Sequence, residues 1–215
     1  TSYTYDSNGR LTGVTYPEGN QLTYTYDARG NVTQETAIAK SGSGLANIIS
    51  TVGYDASCTQ PVKCNKPNWT RDAASNQTDY TYDTTHGGLL TATAPAATSG
   101  GIRPQTRYTY GTRQAYYKNS AGSIVASGQN QYVLTDTSSC QTIASCAAAA
   151  DEVKTSIGYG PQTAGTANNL LPVSVTKASG NNSVSATTSV TYDAFGNRLT
   201  IDGPLAGTAD TVRTR

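Results

Sequence analysis

The side chains that could do chemistry in this sequence are one histidine, four cysteines and a recurring aspartate. A nucleophilic triad needs an imidazole, a carboxylate to orient it and a nucleophile to activate. His86 is the sole imidazole and stands in a Thr85-His86-Gly87-Gly88 turn. The chain contains neither a Gly-x-Ser-x-Gly elbow nor a phosphate-cradling glycine loop. Asp6, Asp27, Asp55, Asp83 and Asp193 occupy the same place in a repeated pattern, which marks a turn cap before it marks a general acid. A glycosidase would need two carboxyls converging on one cleft, and a calcium loop needs more acidic ligands than each of these loops offers. The sequence therefore predicts a non-catalytic chain with no cofactor and no metal.

The cysteines form two pairs of equal spacing in separate stretches, Cys58 with Cys64 and Cys140 with Cys146. Four cysteines allow three connectivities. The equal spacing favours two local bridges that pin loops in an oxidising compartment. Free thiols and a zinc site are the rival readings, although zinc favours Cys and His at tighter spacing.

Charged residues are 13% of the chain, with a formal net charge of +1, against roughly 25% in an ordinary soluble domain. Nothing basic enough to track a phosphate backbone is present, so no nucleic-acid partner is predicted. No apolar run is long enough for direct membrane insertion as a helix. The absence of Met reads as an excerpt from a longer chain. Asn31, Asn68, Asn76 and Asn181 open Asn-x-Ser/Thr triplets, which a Thr-rich chain produces by chance.

What positions the aspartates is a repeat. It reads Tyr3-Thr4-Tyr5-Asp6 followed by Gly9 and Leu11-Thr12, then Tyr24-Thr25-Tyr26-Asp27 followed by Gly30 and Val32-Thr33. It returns as Tyr80-Thr81-Tyr82-Asp83 and as Val190-Thr191-Tyr192-Asp193-Ala194-Phe195-Gly196. Weaker copies surround Tyr54, Tyr110 and Tyr159, the last two followed by Gly111 and Gly160 in place of Asp. Tyr26, Tyr54, Tyr82 and Tyr110 stand 28 residues apart. Residues two apart share a strand face, so Tyr24 and Tyr26 point one way and Thr25 the other. Asp followed three residues later by Gly predicts a type I turn with Gly in the left-handed position, at Asp6 to Gly9, Asp27 to Gly30 and Asp193 to Gly196. Each unit is thus a β-hairpin. A lone hairpin is marginal in water, but a row of them can share an aromatic seam. Stretches around Pro17-Glu18-Gly19, Asp72 to Asn76 and Asp202-Gly203-Pro204 read as turns at the opposite edge. A sugar-stacking role for the rings is the alternative to packing.

The tandem Tyr-Thr-Tyr-Asp-x-x-Gly-Asn/Arg-Val/Leu-Thr unit resembles the YD repeat of Rhs and wall-associated repeat proteins, from Tyr3 to Gly203 with gaps at 37–50 and 112–156. The resemblance implies an all-β fold: hairpins in a long antiparallel strip, part of a spiralling hollow shell or β-solenoid-like assembly. It implies relatives among the B and C components of insecticidal toxin complexes and among teneurins, and a secreted or cell-surface bacterial location. The implied partners are the remainder of the repeat chain and either an encapsulated C-terminal toxin domain or, in a fibre, neighbouring subunits. Tyr5, Tyr26, Tyr54, Tyr82, Tyr110, Tyr159 and Tyr192 would be the scaffold positions; no residue of the family's self-cleaving core is placed here. The domain expectation is one repeat region, 1–215, with loop excursions at 37–50, 57–67, 94–101 and 112–156. Within the last, 139–150 is read as a mobile loop, with a short helix at its Ala-rich end the alternative. The unpaired ends at Thr1 and Arg215 would make the isolated segment aggregate or stay partly unfolded; a cooperative, monomeric melt would contradict this.

Overall fold

A computed structural model describes the chain except Gln141, Thr142, Ala144, Ser145, Ala194, Ala206, Thr208, Ala209, Thr214 and Arg215. Ala194 of the last repeat and the expected free end at Arg215 therefore lie outside the described residues. All regular structure among the described residues is β, and each recorded strand pairing is antiparallel between sequence neighbours. This is the all-β arrangement the repeat predicts. The chain divides into two compact units, Thr1–Arg103 and Pro104–Arg215. The boundary follows the Ala-, Gly- and Pro-containing connection 94–104, which replaces a tight turn.

The first unit is an eight-stranded meander: β1 (Ser2–Tyr5), β2 (Leu11–Thr15), β3 (Gln21–Tyr26), β4 (Val32–Ile38), β5 (Ile48–Gly53), β6 (Trp69–Arg71), β7 (Gln77–Tyr82) and β8 (Leu89–Thr93). Its tips at 6–10, 27–31, 54–68 and 83–88 lie on one edge, and those at 16–20, 39–47 and 72–76 on the other. The second unit contains β9 (Gln105–Lys118), β10 (Ile124–Cys140), β11 (Glu152–Gly158), β12 (Ser174–Ser179), β13 (Ser185–Tyr192), β14 (Arg198–Asp202) and β15 (Val212–Arg213).

The stretch 112–156 corrects the expected excursion. Much of it belongs to a long hairpin in which β9 and β10 pair from Lys118–Ile124 down to Thr106–Ser139. The cause is local. Tyr110 is followed by Gly111, which has no carboxylate to gather turn N–H groups, so the strand runs straight on. Gly111 also fits where a side chain would crowd Thr135: an added Cβ would lie 2.9 Å from its Cγ2. At the Ala-rich end, residues 147–151 form turns, not a helix.

Each unit is one layer of sheet, and the burial reflects this. Among the described residues no large side chain is fully buried; the most enclosed are Val14, Thr36, Cys64, Cys140, Cys146, Glu152 and Asn168. Cohesion must therefore come from ladder hydrogen bonds and cross-strand side-chain pairs more than from a thick core.

Candidate functional site: the tyrosine-aspartate hairpin row

The aspartate turns share one geometry. At the first tip the Asp6 N–H donates to the Arg10 carbonyl at 2.9 Å and the Gly9 N–H to the Asp6 carbonyl at 3.0 Å. Asp6 Oδ1 accepts the N–H groups of Asn8 and Arg10, each at 2.9 Å. Gly9 takes φ 77°, the left-handed region that glycine enters without penalty. Asp27 and Asp193 repeat this, receiving Arg29 and Asn31 N–H and Phe195 and Asn197 N–H; Gly30 and Gly196 sit at φ 88° and 85°. Asp83 collects Thr85 and His86 N–H at 2.7 and 2.9 Å in a turn one residue longer. These donors stabilise the ionised carboxylate. The Arg10 backbone N–H leads in holding Asp6 below the usual carboxylate range, the His86 N–H does so for Asp83, and the Asn197 amide for Asp193.

Two further tips use the same device without the Tyr-Asp signature. On the opposite edge Asp72 accepts Ala74 and Asn76 N–H, with Ser75 forced into the left-handed region at φ 66°. At the end of the long hairpin, Asn119 Oδ1 accepts Ala121 and Ser123 N–H, and Gly122 takes φ 82°. Sequence reasoning missed Asn119; the Asn-x-x-Gly spacing was the available signal, hidden by the change from carboxylate to amide.

In four copies the second tyrosine of the motif ties its hairpin to chain laid down before it. The Tyr26 hydroxyl donates to the Leu11 carbonyl at 2.6 Å, Tyr82 to Pro67 at 3.0 Å, Tyr159 to Leu134 at 2.9 Å and Tyr192 to Pro172 at 2.7 Å. Tyr5, on the first strand, is 61% exposed. Tyr54 is half-buried, and desolvation pushes its phenol pKa up. Tyr110 lies mid-strand opposite Leu134. On the other face, the threonine between the tyrosines meets a threonine of the returning strand: Thr4 with Thr12 at 3.2 Å, Thr25 with Thr33 at 3.0 Å, and Thr81 with Thr91 and Thr191 with Thr200 each at 2.6 Å. Beside each of these clasps the register slips by one residue, a bulge that increases local twist.

In the first unit, cations cross-link neighbouring tips. Arg10 bonds to the Asp27 carbonyl at 3.2 Å while its guanidinium lies 4.9 Å from the Tyr26 ring centroid. Arg29 donates to the Asp55 carbonyl at 2.6 Å. Lys66 bonds to the Gly87 carbonyl and stands 5.5 Å from the Tyr82 ring centroid. Lys63 pairs with Asp55 at 3.0 Å, whose carboxyl the Asn68 amide chiefly holds low. His86 is absorbed into its own turn: Nδ1 accepts the Gly88 N–H at 3.1 Å and Nε2 lies 3.4 Å from Asp83.

Both cysteine pairs are local bridges, Cys58–Cys64 with Cα atoms 5.0 Å apart and Cys140–Cys146 at 5.7 Å. Cys140, Cys146 and Asp151 bring their ligand atoms close enough for a metal. Both sulfurs are spent in the disulfide, however, and metal binding needs thiolates. Beside this bridge Glu152, nearly buried, pairs with Arg107 at 3.0 Å and accepts the Ala148 N–H at 2.7 Å. Burial opposes its ionisation, yet the Ala148 N–H and Arg107 outweigh that and hold its pKa below the usual value. Closed bridges of this kind belong to secreted or surface proteins of an oxidising compartment.

A family model described as RHS Repeat matches residues 1–40. No curated protein matches the chain. Among solved structures, that of TcdB2-TccC3-Cdc42 is similar at a TM-score of 0.61 and 14% identity, covering 98% of this chain and 9% of that one. The Tc holotoxin pore of Photorhabdus luminescens with a mutated TccC3 gives 0.56 and 17%, again covering 98% and 9%. This likeness is one of fold, and this chain spans under a tenth of the length of either. Its first forty residues match that repeat model and its Tyr-Asp hairpins recur as far as Tyr192; the chain is thus similar to RHS repeat proteins in sequence over that stretch and to these Tc-toxin structures in fold.

Proposed function

We propose that the chain is a stretch of wall in a secreted bacterial YD-repeat shell that encloses a toxin or other cargo. One observation supports this above the rest: nearly the whole chain follows the fold of a short section of a much longer Tc-toxin chain. That is what one length of a continuous strip would do. The hairpin row fits the task, because neighbouring tips of the first unit are clamped together by hydroxyl–carbonyl and cation–carbonyl bonds. Its partners on this reading are the rest of the repeat chain and an enclosed C-terminal domain.

Electron cryomicroscopy of the intact particle at side-chain resolution tests it. A closed hollow shell with internal density is the expected result. A continuous rod of stacked hairpins would overturn it in favour of a surface or secreted adhesive fibre with neighbouring subunits as partners.

A further inference from the structure

The Cys140–Cys146 bridge has a third group beside it that could ligate a metal. Asp151 brings a carboxylate oxygen to the two sulfurs, the three ligand atoms lying within 4.8 Å of one another. Among the described residues, Cys58 and Cys64 gather no such third ligand. The turn after Cys146 places the aspartate. The Cys146 carbonyl accepts the Ala149 N–H at 3.0 Å, and the Ala149 carbonyl accepts the Glu152 N–H at 3.2 Å. Within that turn Ala148 takes the left-handed φ of 60°, a region that residues with a Cβ seldom enter; it tightens the segment that carries Asp151. Both cysteines are buried, at 6% and 5% exposure. An Arg107 guanidinium nitrogen lies 4.0 Å from Cys140 Sγ, and the Glu152 carboxylate, 3.0 Å from Arg107, balances its charge. Asp151 Oδ2 also receives the Ile143 N–H at 3.4 Å, and a carboxylate has lone pairs for a metal besides.

We propose that the dithiol form of this pair, together with Asp151, binds a zinc ion, and that closure of the disulfide releases it. A chain bound for an oxidising compartment is made in a reducing one, where Cys140 and Cys146 are thiols. Zinc accepts thiolate and carboxylate ligands in one tetrahedral shell. Calcium and magnesium want oxygen ligands throughout, and copper(I) has no use for the carboxylate. Tetrahedral bonds of about 2.3 Å to sulfur and about 2.0 Å to oxygen set ligand atoms about 3.5–3.8 Å apart. That lies inside the spread already present, since the sulfurs part once no bond joins them, and water completes the fourth position. Binding displaces one proton from each thiol to solvent. On export, a protein disulfide of the oxidising compartment accepts two electrons from the thiolates and two protons from solvent, becoming a dithiol. The Cys140–Cys146 bond forms and the zinc leaves. While the zinc is bound, Arg107 serves as an outer partner, donating to the Cys140 sulfur. The inference goes beyond the wall reading and does not depend on it.

Cobalt(II) titration of the intact protein, reduced with a phosphine and kept free of oxygen, tests the proposal. The phosphine takes an oxygen from water as it becomes the oxide, and each bridge gains two hydrogens. One cobalt per chain should bind, with a thiolate charge-transfer band and the intense d–d bands of tetrahedral coordination. Zinc should bleach both, competing with Kd at or below about 1 µM. The oxidised protein should show neither band. Joint Cys58→Ser and Cys64→Ser substitution should keep the spectrum, and Cys140→Ser should lose it. Asp151→Asn, nearly isosteric, should weaken zinc by about tenfold or more, since losing a charged ligand costs at least what losing an outer partner does. Absence of the charge-transfer band in the reduced protein, its persistence in Cys140→Ser, or unchanged zinc affinity in Asp151→Asn would overturn the assignment.

Discussion

Replacing Tyr26 by Phe removes one oxygen and leaves the ring in place. That oxygen donates to the Leu11 carbonyl at 2.6 Å, across to the preceding hairpin. The aromatic contact with Arg10, at 4.9 Å, survives the change. What disappears is one part-buried hydrogen bond, worth about 0.5–1.5 kcal/mol net. Leu11 is only half-buried, so water can reach its carbonyl and the loss should sit near about 1 kcal/mol. For a chain of this size that lowers Tm by about 2–4 °C. Tyr5 provides the internal control. It holds the same place in the motif but is 61% exposed, on the first strand, so Tyr5→Phe should change stability by less than about 0.5 kcal/mol. Urea unfolding of the intact protein, with hydrogen exchange at residues 11–15 and 24–26 as a local readout, measures both. Equal effects of the two substitutions would refute the idea that the motif's second tyrosine works as a hydroxyl clamp between hairpins.

Ser75→Gly should stabilise by about 0.5–1 kcal/mol in the same unfolding assay, because relief of the left-handed strain exceeds glycine's entropy cost. Gly53→Ala should destabilise by about 1–3 kcal/mol, since the Trp69 indole occupies the space an added Cβ would need. Asp72 and Asp193 titrate lower folded than unfolded, through the Asn76 and Asn197 amides first and then turn N–H groups. Their contribution is complete above the unfolded value of 3.8 and is lost as pH falls through the folded values. An acid titration followed by circular dichroism should therefore show unfolding that begins below about pH 4, and Asp72→Asn together with Asp193→Asn should flatten it. Reduction of the bridges should cost about 2–3 kcal/mol each, read as faster exchange confined to 54–68 and to the described part of 140–152.

The hairpin unit was legible because it is written in side chains. Tyr, Asp and Gly at fixed offsets state the strand face, the N–H acceptor and the left-handed residue. The bonds that join one hairpin to the next were not legible, since their acceptors are carbonyls of Leu11, Pro67, Leu134 and Pro172, and a carbonyl carries no residue type. The threonine clasps were hidden for a related reason: threonine is everywhere in the chain, so its pairing had no contrast. The long hairpin was misjudged where Gly111 follows Tyr110; the missing Asp signalled a lost turn, and a lost turn means a longer strand. Gly160 after Tyr159 has a different outcome, because Asn168 closes that segment with its amide.

The hydroxyl clamps run in one direction along the chain. Each of these four motif tyrosines seizes a carbonyl 15 to 25 residues nearer the N-terminus, whereas Tyr116, outside the motif, reaches forward to the Gln162 carbonyl. Contacts this local have low loop-closure cost and favour fast folding. A chain emerging N-terminus first, from a ribosome or a secretion channel, could lock each hairpin as it appears, like a zip drawn from one end. Unpaired strand edges, the usual aggregation hazard of β-proteins, would then be limited at any moment to the newest hairpin.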